Sequence, residues 1–231
     1  MSHVLRSLIV PSLVLVVATA THAGQVDLRN RPGNIEQGPF GRANTTLYAQ
    51  SVIADDVNFD MAGVKVRSFS NSPVLFNFLI TGARADLGGG FGFAPDLTQV
   101  FFSSGQLSAD STGTFFLVHP NLGVTIGERL FIVLDALSYP ASGKGGVEAT
   151  QFNAATNPYP NNEFVFYNTS PVDTFATVNA GTWEHRGPFN ENLAILADFN
   201  GLTVGTPEPS TFIGFASIGL FGLVMRLRRR D

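Results

Sequence analysis

The sequence predicts an all-β fold, a jelly-roll-like antiparallel β-sandwich, on three observations. Apolar and aromatic runs of four to nine residues recur through the middle of the chain, separated by Gly, Pro, Asn, Asp and Ser. That is the punctuation of short strands. In VLFNFLIT (74–81), Phe76, Phe78 and Ile80 share one face while Asn77 interrupts the other, a period of two. Finally, no stretch of the body sustains a capped 3.6-residue period over about three helical turns. Without helical crossovers, the strands must pair antiparallel and pack face to face.

Ten strands are expected in order. They are TLYAQSVI (46–53), VKVRSF (64–69), VLFNFLIT (74–81), TQVFFSS (98–104), GTFFLVH (113–119), RLFIVLDAL (129–137), VEATQF (147–152), EFVFYN (163–168), FATVN (175–179) and LAILADF (193–199). The chain holds 21 Phe in 231 residues. Phenylalanine suits a sandwich core because it buries a large apolar area with no polar atom to satisfy.

The organisation is tripartite: an export signal at 1–23, a β-sandwich body at 24–205 and a sorting segment at 206–231. Arg6 sits in a short polar start, followed by the largely apolar run SLIVPSLVLVVATA (7–20). Small residues come next, and THA at 21–23 places the preferred cut after Ala23. At the other end, Phe212 to Met225 is an apolar run of 14 residues. As a helix it would span roughly 21 Å, short against a hydrocarbon core of about 30 Å. Arg226, Arg228, Arg229 and Arg230 follow it. A weak span backed by arginines reads as a stop-transfer signal, with the arginines in the cytoplasm and the body outside.

Charge and cysteine usage exclude several classes. Charged residues are 14% of the chain, against about 25% in ordinary domains, and with so much Phe this is no disordered solvating tail. Only nine of the 14 basic residues lie within 24–206, against 16 of the 18 acidic ones, a formal −7. Such a body is a poor nucleic-acid binder. There are no cysteines, which excludes disulfides, thiolate metal sites and cysteine nucleophiles.

The end TPEPSTFIGFASIGLFGLVMRLRRRD resembles the PEP-CTERM sorting signal of exopolysaccharide-producing Gram-negative bacteria. The matching residues are Pro207, Glu208 and Pro209, then Ser210 and Thr211, the apolar run and the terminal arginines. The resemblance implies exosortase as processing partner, with cleavage near the PEP motif and a membrane intermediate held by residues 212–225. The mature chain would then reach the cell envelope, surface or extracellular matrix. Pro207 and Pro209 agree physically, since fixed φ angles keep the stretch extended for an enzyme's cleft. More softly, LYAQSVIADD resembles the opening strand of exported β-sandwich domains joined to bacterial surface anchors, with Val52 where that pattern has Phe. Such domains bring a fold and no assigned activity.

Chemistry-bearing patterns are few. The body has two histidines, His119 and His185, and no G-x-S-x-G elbow, so neither a multi-histidine metal site nor that hydrolase signature can be read. GGGFGF (88–93) lacks dinucleotide-binding spacing and reads as a loop, and SGKGG (142–146) reads as a turn. Asp56, Asn58 and Asp60 open a calcium-loop pattern, but Met61 and Arg67 stand where glycine and a bidentate glutamate belong. These three read either as a solvated strand edge or as a sandwich-type calcium site completed by Asp55 or backbone carbonyls. Trp183, the single tryptophan, sits in GTWEHRGPF. It reads as a rim residue half covering the core, or as a sugar-stacking platform with Glu184, His185 and Arg186. The expected function is a non-catalytic, exported envelope or exopolysaccharide-associated protein that needs no cofactor. The alternative is a carbohydrate-binding module at the cell surface.

Overall fold

The computed structural model describes residues 24–29, 34–41, 45–86, 92–152, 159, 161–169, 173–185 and 191–200. The expected signal peptide (1–23) and sorting segment (206–231) lie outside the described residues. Among those described, strands take 64% and helix 4%. The fold is all-β. No helix among the described residues is long and apolar enough to cross a membrane.

In chain order the strands are β1 (Gln25–Asp27), β2 (Asn34–Gly41), β3 (Thr45–Ile53), β4 (Asn58–Ser68), β5 (Val74–Ala85), β6 (Phe93–Ala109) and β7 (Thr114–Val118). Then come β8 (Leu122–Gly123), β9 (Arg129–Asp135), β10 (Lys144–Gln151), β11 (Phe164–Asn168), helix α1 (Phe175–Ala180), β12 (Glu184–His185), β13 (Glu191–Leu193) and β14 (Leu196–Phe199). They form one hydrogen-bonded system with two layers. One layer runs β12-β11-β3-β9-β5-β6, antiparallel throughout. The other centres on β4 and β10, with β14 and β1, β2, β13, β7 and β8 attached. A single parallel residue pair, Phe40 with Thr45, joins them. That junction is the one departure from antiparallel pairing among the described strands.

The main core lies between the layers and draws on both. Phe76, Phe78 and Ile80 of β5 and Leu130, Ile132 and Leu134 of β9 are fully buried there. Phe59, Val64 and Val66 of β4 and Val147 of β10 meet them. Phe76 contacts Phe116 of the opposite layer edge-on at 5.0 Å, and Phe59 stacks on Phe199 at 4.6 Å. The layered packing is therefore sandwich-like. A second, smaller core lies on the back of the β3-β9-β5 layer. It takes the alternate residues Leu47, Ala49, Leu79, Phe131 and Val133, covered by Leu97, Val178 and Trp183. A strand buried on both faces reads as a continuous apolar run, which is what RLFIVLD is.

Three expectations are corrected. FATVN (175–179) is part of helix α1 and not a strand. Thr174 caps it reciprocally with Thr177, whose hydroxyl accepts from the Thr174 amide at 2.8 Å, and Val178 is its one buried residue. A capping box specifies a helix start where propensity alone is ambiguous. SGKGG does not remain a turn throughout: Lys144, Gly145 and Gly146 already belong to β10. The expected strand at 193–199 is broken in two, because Ala194 and Ile195 turn to hydrogen-bond Glu148 and Leu28. Strand β2 was not anticipated, since Gly38 and Pro39 read as a break. It nonetheless pairs with β10 along its length, with the register shifting between Gly145 and Val147 opposite that dipeptide.

Because Phe131 and Ile132 fill different cores from adjacent positions, each should be costly to truncate. Phe131→Ala and Ile132→Ala should each destabilise by roughly 2–5 kcal/mol in urea melts. A loss under about 0.5 kcal/mol for either, the range of surface substitutions, would contradict burial on both faces of β9.

Candidate functional site

The outer face of β2, β10 and β4 carries a polar surface built from three strands. On β4, Val64 and Val66 point into the core while Lys65 and Arg67 point out, the alternation of a half-buried strand. On β10, Gly146 and Glu148 occupy the same outer face, and on β2 Asn34 and Glu36 do so. Together with Ile35 and Thr112 they line a groove of about 290 Å³. Its floor is low because position 146 has no side chain: a Cβ there would sit 2.3 Å from Cγ of Glu36. The vacated space lets Glu36 lie across β10 and reach Arg67. The guanidinium binds it with two of its nitrogens, Nε donating to Oε1 at 2.9 Å and Nη2 pairing with Oε2.

The other wall is a relay. Thr150 donates to Oδ1 of the Asn34 side chain, and Nδ2 of Asn34 donates to Oε1 of Glu148 at 2.9 Å. Lys65 approaches the second oxygen of Glu148 at 3.8 Å. Beside the groove, Phe115 lies over Gly63, and Arg29, held by Asp27, covers its ring at 5.2 Å. Sequence reading missed this face because its members are 34 to 148 in the chain and none belongs to a local motif. The outward alternation of Lys65 and Arg67 was the available signal.

A second polar group lies at the back of the molecule. His185 Nε2 meets Asp86 Oδ2 at 3.0 Å, with the two side chains 8% and 0% exposed. Glu163 is close by, its carboxyl held above the ordinary range by burial, against the opposing pull of Arg129 and the Phe93 amide. Arg129 in turn donates to Ser51 Oγ at 3.0 Å and to the Asn161 carbonyl at 2.7 Å, and its guanidinium lies over the Phe93 ring at 4.5 Å. Asp86, Glu163 and Arg129 were not anticipated as a group. His119, the other body histidine, is exposed just after β7.

Trp183 is 1% exposed and packs edge-on against Tyr167 at 5.7 Å. This corrects both sequence readings. It is neither a half-covered rim residue nor a stacking platform, because it packs with Leu97, Val178 of α1 and Tyr167 in the second core. Glu184 is exposed and accepts from Asn168 at 2.8 Å; Arg186 lies outside the described residues.

The acidic stretch does not assemble as the calcium pattern would require. Asp56 accepts from the Val57 amide at 2.6 Å. Asn58 is 5% exposed, so the stretch is not a simple solvated edge either. Asp55 titrates above its usual range because it is desolvated and faces the charges of Asp56 and Asp198. Among the described residues, no group of three or more His, Asp or Glu is placed to hold a metal. Gly92 and Phe93 are the described part of GGGFGF, and Phe93 begins β6.

Comparison with known families matches one model, described as the PEP-CTERM protein-sorting motif, over residues 206–230. The chain carries a PEP-CTERM sorting motif. The match spans the tripartite end, including Pro207, Glu208, Pro209 and the four arginines Arg226, Arg228, Arg229 and Arg230, all outside the described residues. The PEP-CTERM motif supports an exported protein sorted to the cell surface through a membrane intermediate, with exosortase as its processing partner. No curated protein and no solved structure shows a significant match to the chain.

Two measurements check this geography. Trp183→Ala should destabilise by about 3–5 kcal/mol, as removal of a core residue does; a change within about 0.5 kcal/mol in chemical denaturation would return the ring to the surface. Glu163 binds its proton more tightly folded than unfolded, so its contribution is present at low pH. It is lost as pH rises from the ordinary carboxylate range through the raised folded value. Glu163→Gln should remove that fall from the pH–stability curve, and an unchanged curve would contradict the buried carboxyl.

Proposed function

We propose that this is a non-catalytic envelope or extracellular-matrix protein, exported, processed by exosortase and associated with exopolysaccharide. Its body would serve as a jelly-roll-like scaffold. The observation that carries the reading is the sorting motif at 206–230. The N-terminal sequence supports it, since an export signal is the necessary companion of a C-terminal sorting segment. Charge supports it as well: an acidic body of formal −7 avoids nucleic acid and anionic membrane surfaces.

The non-catalytic part of the reading rests on how the titratable groups are used. His185, the histidine best placed for base chemistry, is engaged by Asp86 where little of either side chain reaches solvent. A general base must come within hydrogen-bond reach of a substrate proton, which that position does not offer. A carbohydrate-binding module remains the second reading, favoured by the polar groove between Glu36, Arg67, Lys65 and Glu148 and no longer by Trp183.

Mass spectrometry of the mature protein from its producing cells tests the sorting route. Peptides covering Gln25 to Arg29 should be recovered, and no mature species should retain Arg226 to Asp231. Glu208→Ala should cause the unprocessed form to accumulate in the membrane. Recovery of an intact C-terminus throughout the mature pool would reduce the segment to a plain tail anchor.

A further inference from the structure

We propose that the groove on the outer face of β2, β10 and β4 binds neutral saccharide chains. This rests on the exopolysaccharide association proposed above and gives it a site. Four charged side chains line the groove, Lys65 and Arg67 against Glu36 and Glu148, so its net charge is zero. A polyanion would meet two carboxylates and a cation two basic groups. A neutral polyhydroxyl ligand meets neither penalty, and each hydroxyl both donates and accepts.

The groups are also held ready. The Arg67 fork fixes Glu36, and the Thr150–Asn34 relay fixes Glu148. Fixed partners lose less entropy on binding. Capacity remains after these internal bonds. An ionised carboxylate offers about four lone-pair directions and an ammonium three donors, and Lys65 makes only a loose 3.8 Å contact with Glu148. A carboxylate beside a cationic donor can take two neighbouring hydroxyls of one ring, one accepting and one donating. A volume of about 290 Å³ is at the small end of ligand pockets, suited to a short stretch of chain in an open groove. Stacking is not the means of recognition here, since the Phe115 ring is already enclosed by Gly63 and Arg29. Single-site affinity should therefore be modest and gain from repetition along a polymer.

The test is a glycan array carrying neutral and uronic-acid oligosaccharides, probed with the full chain purified in detergent. Variants are Lys65→Met, Glu148→Gln and Gly146→Ala, the last placing a methyl group where Glu36 now lies. The expected result is retention on neutral glycans by the wild type. Each variant should lose about tenfold, the scale of one charge-assisted hydrogen bond, with Lys65→Met and Glu148→Gln at an unchanged melting temperature. Variants that bind like the wild type would overturn the groove while leaving saccharide association standing. Binding confined to uronic acids would overturn the charge-balance argument. A wild type that binds no glycan and does not co-sediment with the producing organism's polysaccharide would overturn both the groove and the association beneath it.

Discussion

Strand β9 has no exposed residue between Leu130 and Asp135, so structure must cover it on both sides. Its even-numbered residues, Leu130, Ile132 and Leu134, face the β4–β10 layer. Its odd-numbered ones, Phe131 and Val133, face Trp183 and α1. Neighbouring β3 and β5 flank it with seven and six registered pairs, leaving no edge of β9 to solvent. The rest of the molecule follows from covering these two faces. Among the described residues, strand pairing joins the two layers at one parallel pair, Phe40 with Thr45, so side-chain packing between them does most of the work that backbone pairing does within them.

Polar contacts across the interior reinforce that arrangement. Gln50 of β3 is wholly buried, yet its amide nitrogen donates to Asn192 and its oxygen accepts from the Leu193 amide at 2.9 Å. Both partners belong to β13, which is attached to β10 of the opposite layer. A buried amide is costly unless it is satisfied, so this one fixes the position of the two layers relative to each other. With both faces of the β3-β9-β5 layer committed to cores, the proposed binding surface falls to the outer face of its partner. That is where Lys65, Arg67, Glu36 and Glu148 gather.

What the sequence revealed depended on range. Strands β5, β7, β9 and β11 were legible because alternation or continuous apolarity is written into consecutive residues. Helix α1 was not, because its specification is a Thr174–Thr177 cap rather than a periodic apolar face. Strand β2 was masked by Gly38 and Pro39, which signal a turn locally but here lie opposite a register shift in β10. Trp183 misled for a related reason. Its polar, glycine-flanked neighbours suggested exposure, whereas its burial is decided by Tyr167, Val178 and Leu97, which no local pattern could bring to it.

The same contrast separates sorting from binding. A sorting motif is a run of consecutive residues, so its information is linear and Pro207, Glu208 and Pro209 stand side by side in the sequence. A groove on a sheet is read in three dimensions. Glu36 reaches Arg67, 31 residues away, and Asn34 reaches Glu148, 114 away, only because β10 lies between β2 and β4. Gly146 shows how narrow that dependence is. In sequence it is one glycine in a cluster read as a turn, but in the sheet it is the floor over which Glu36 crosses. A methyl group there would displace Glu36 without replacing any charged residue, which makes the groove a property of the fold more than of any one side chain.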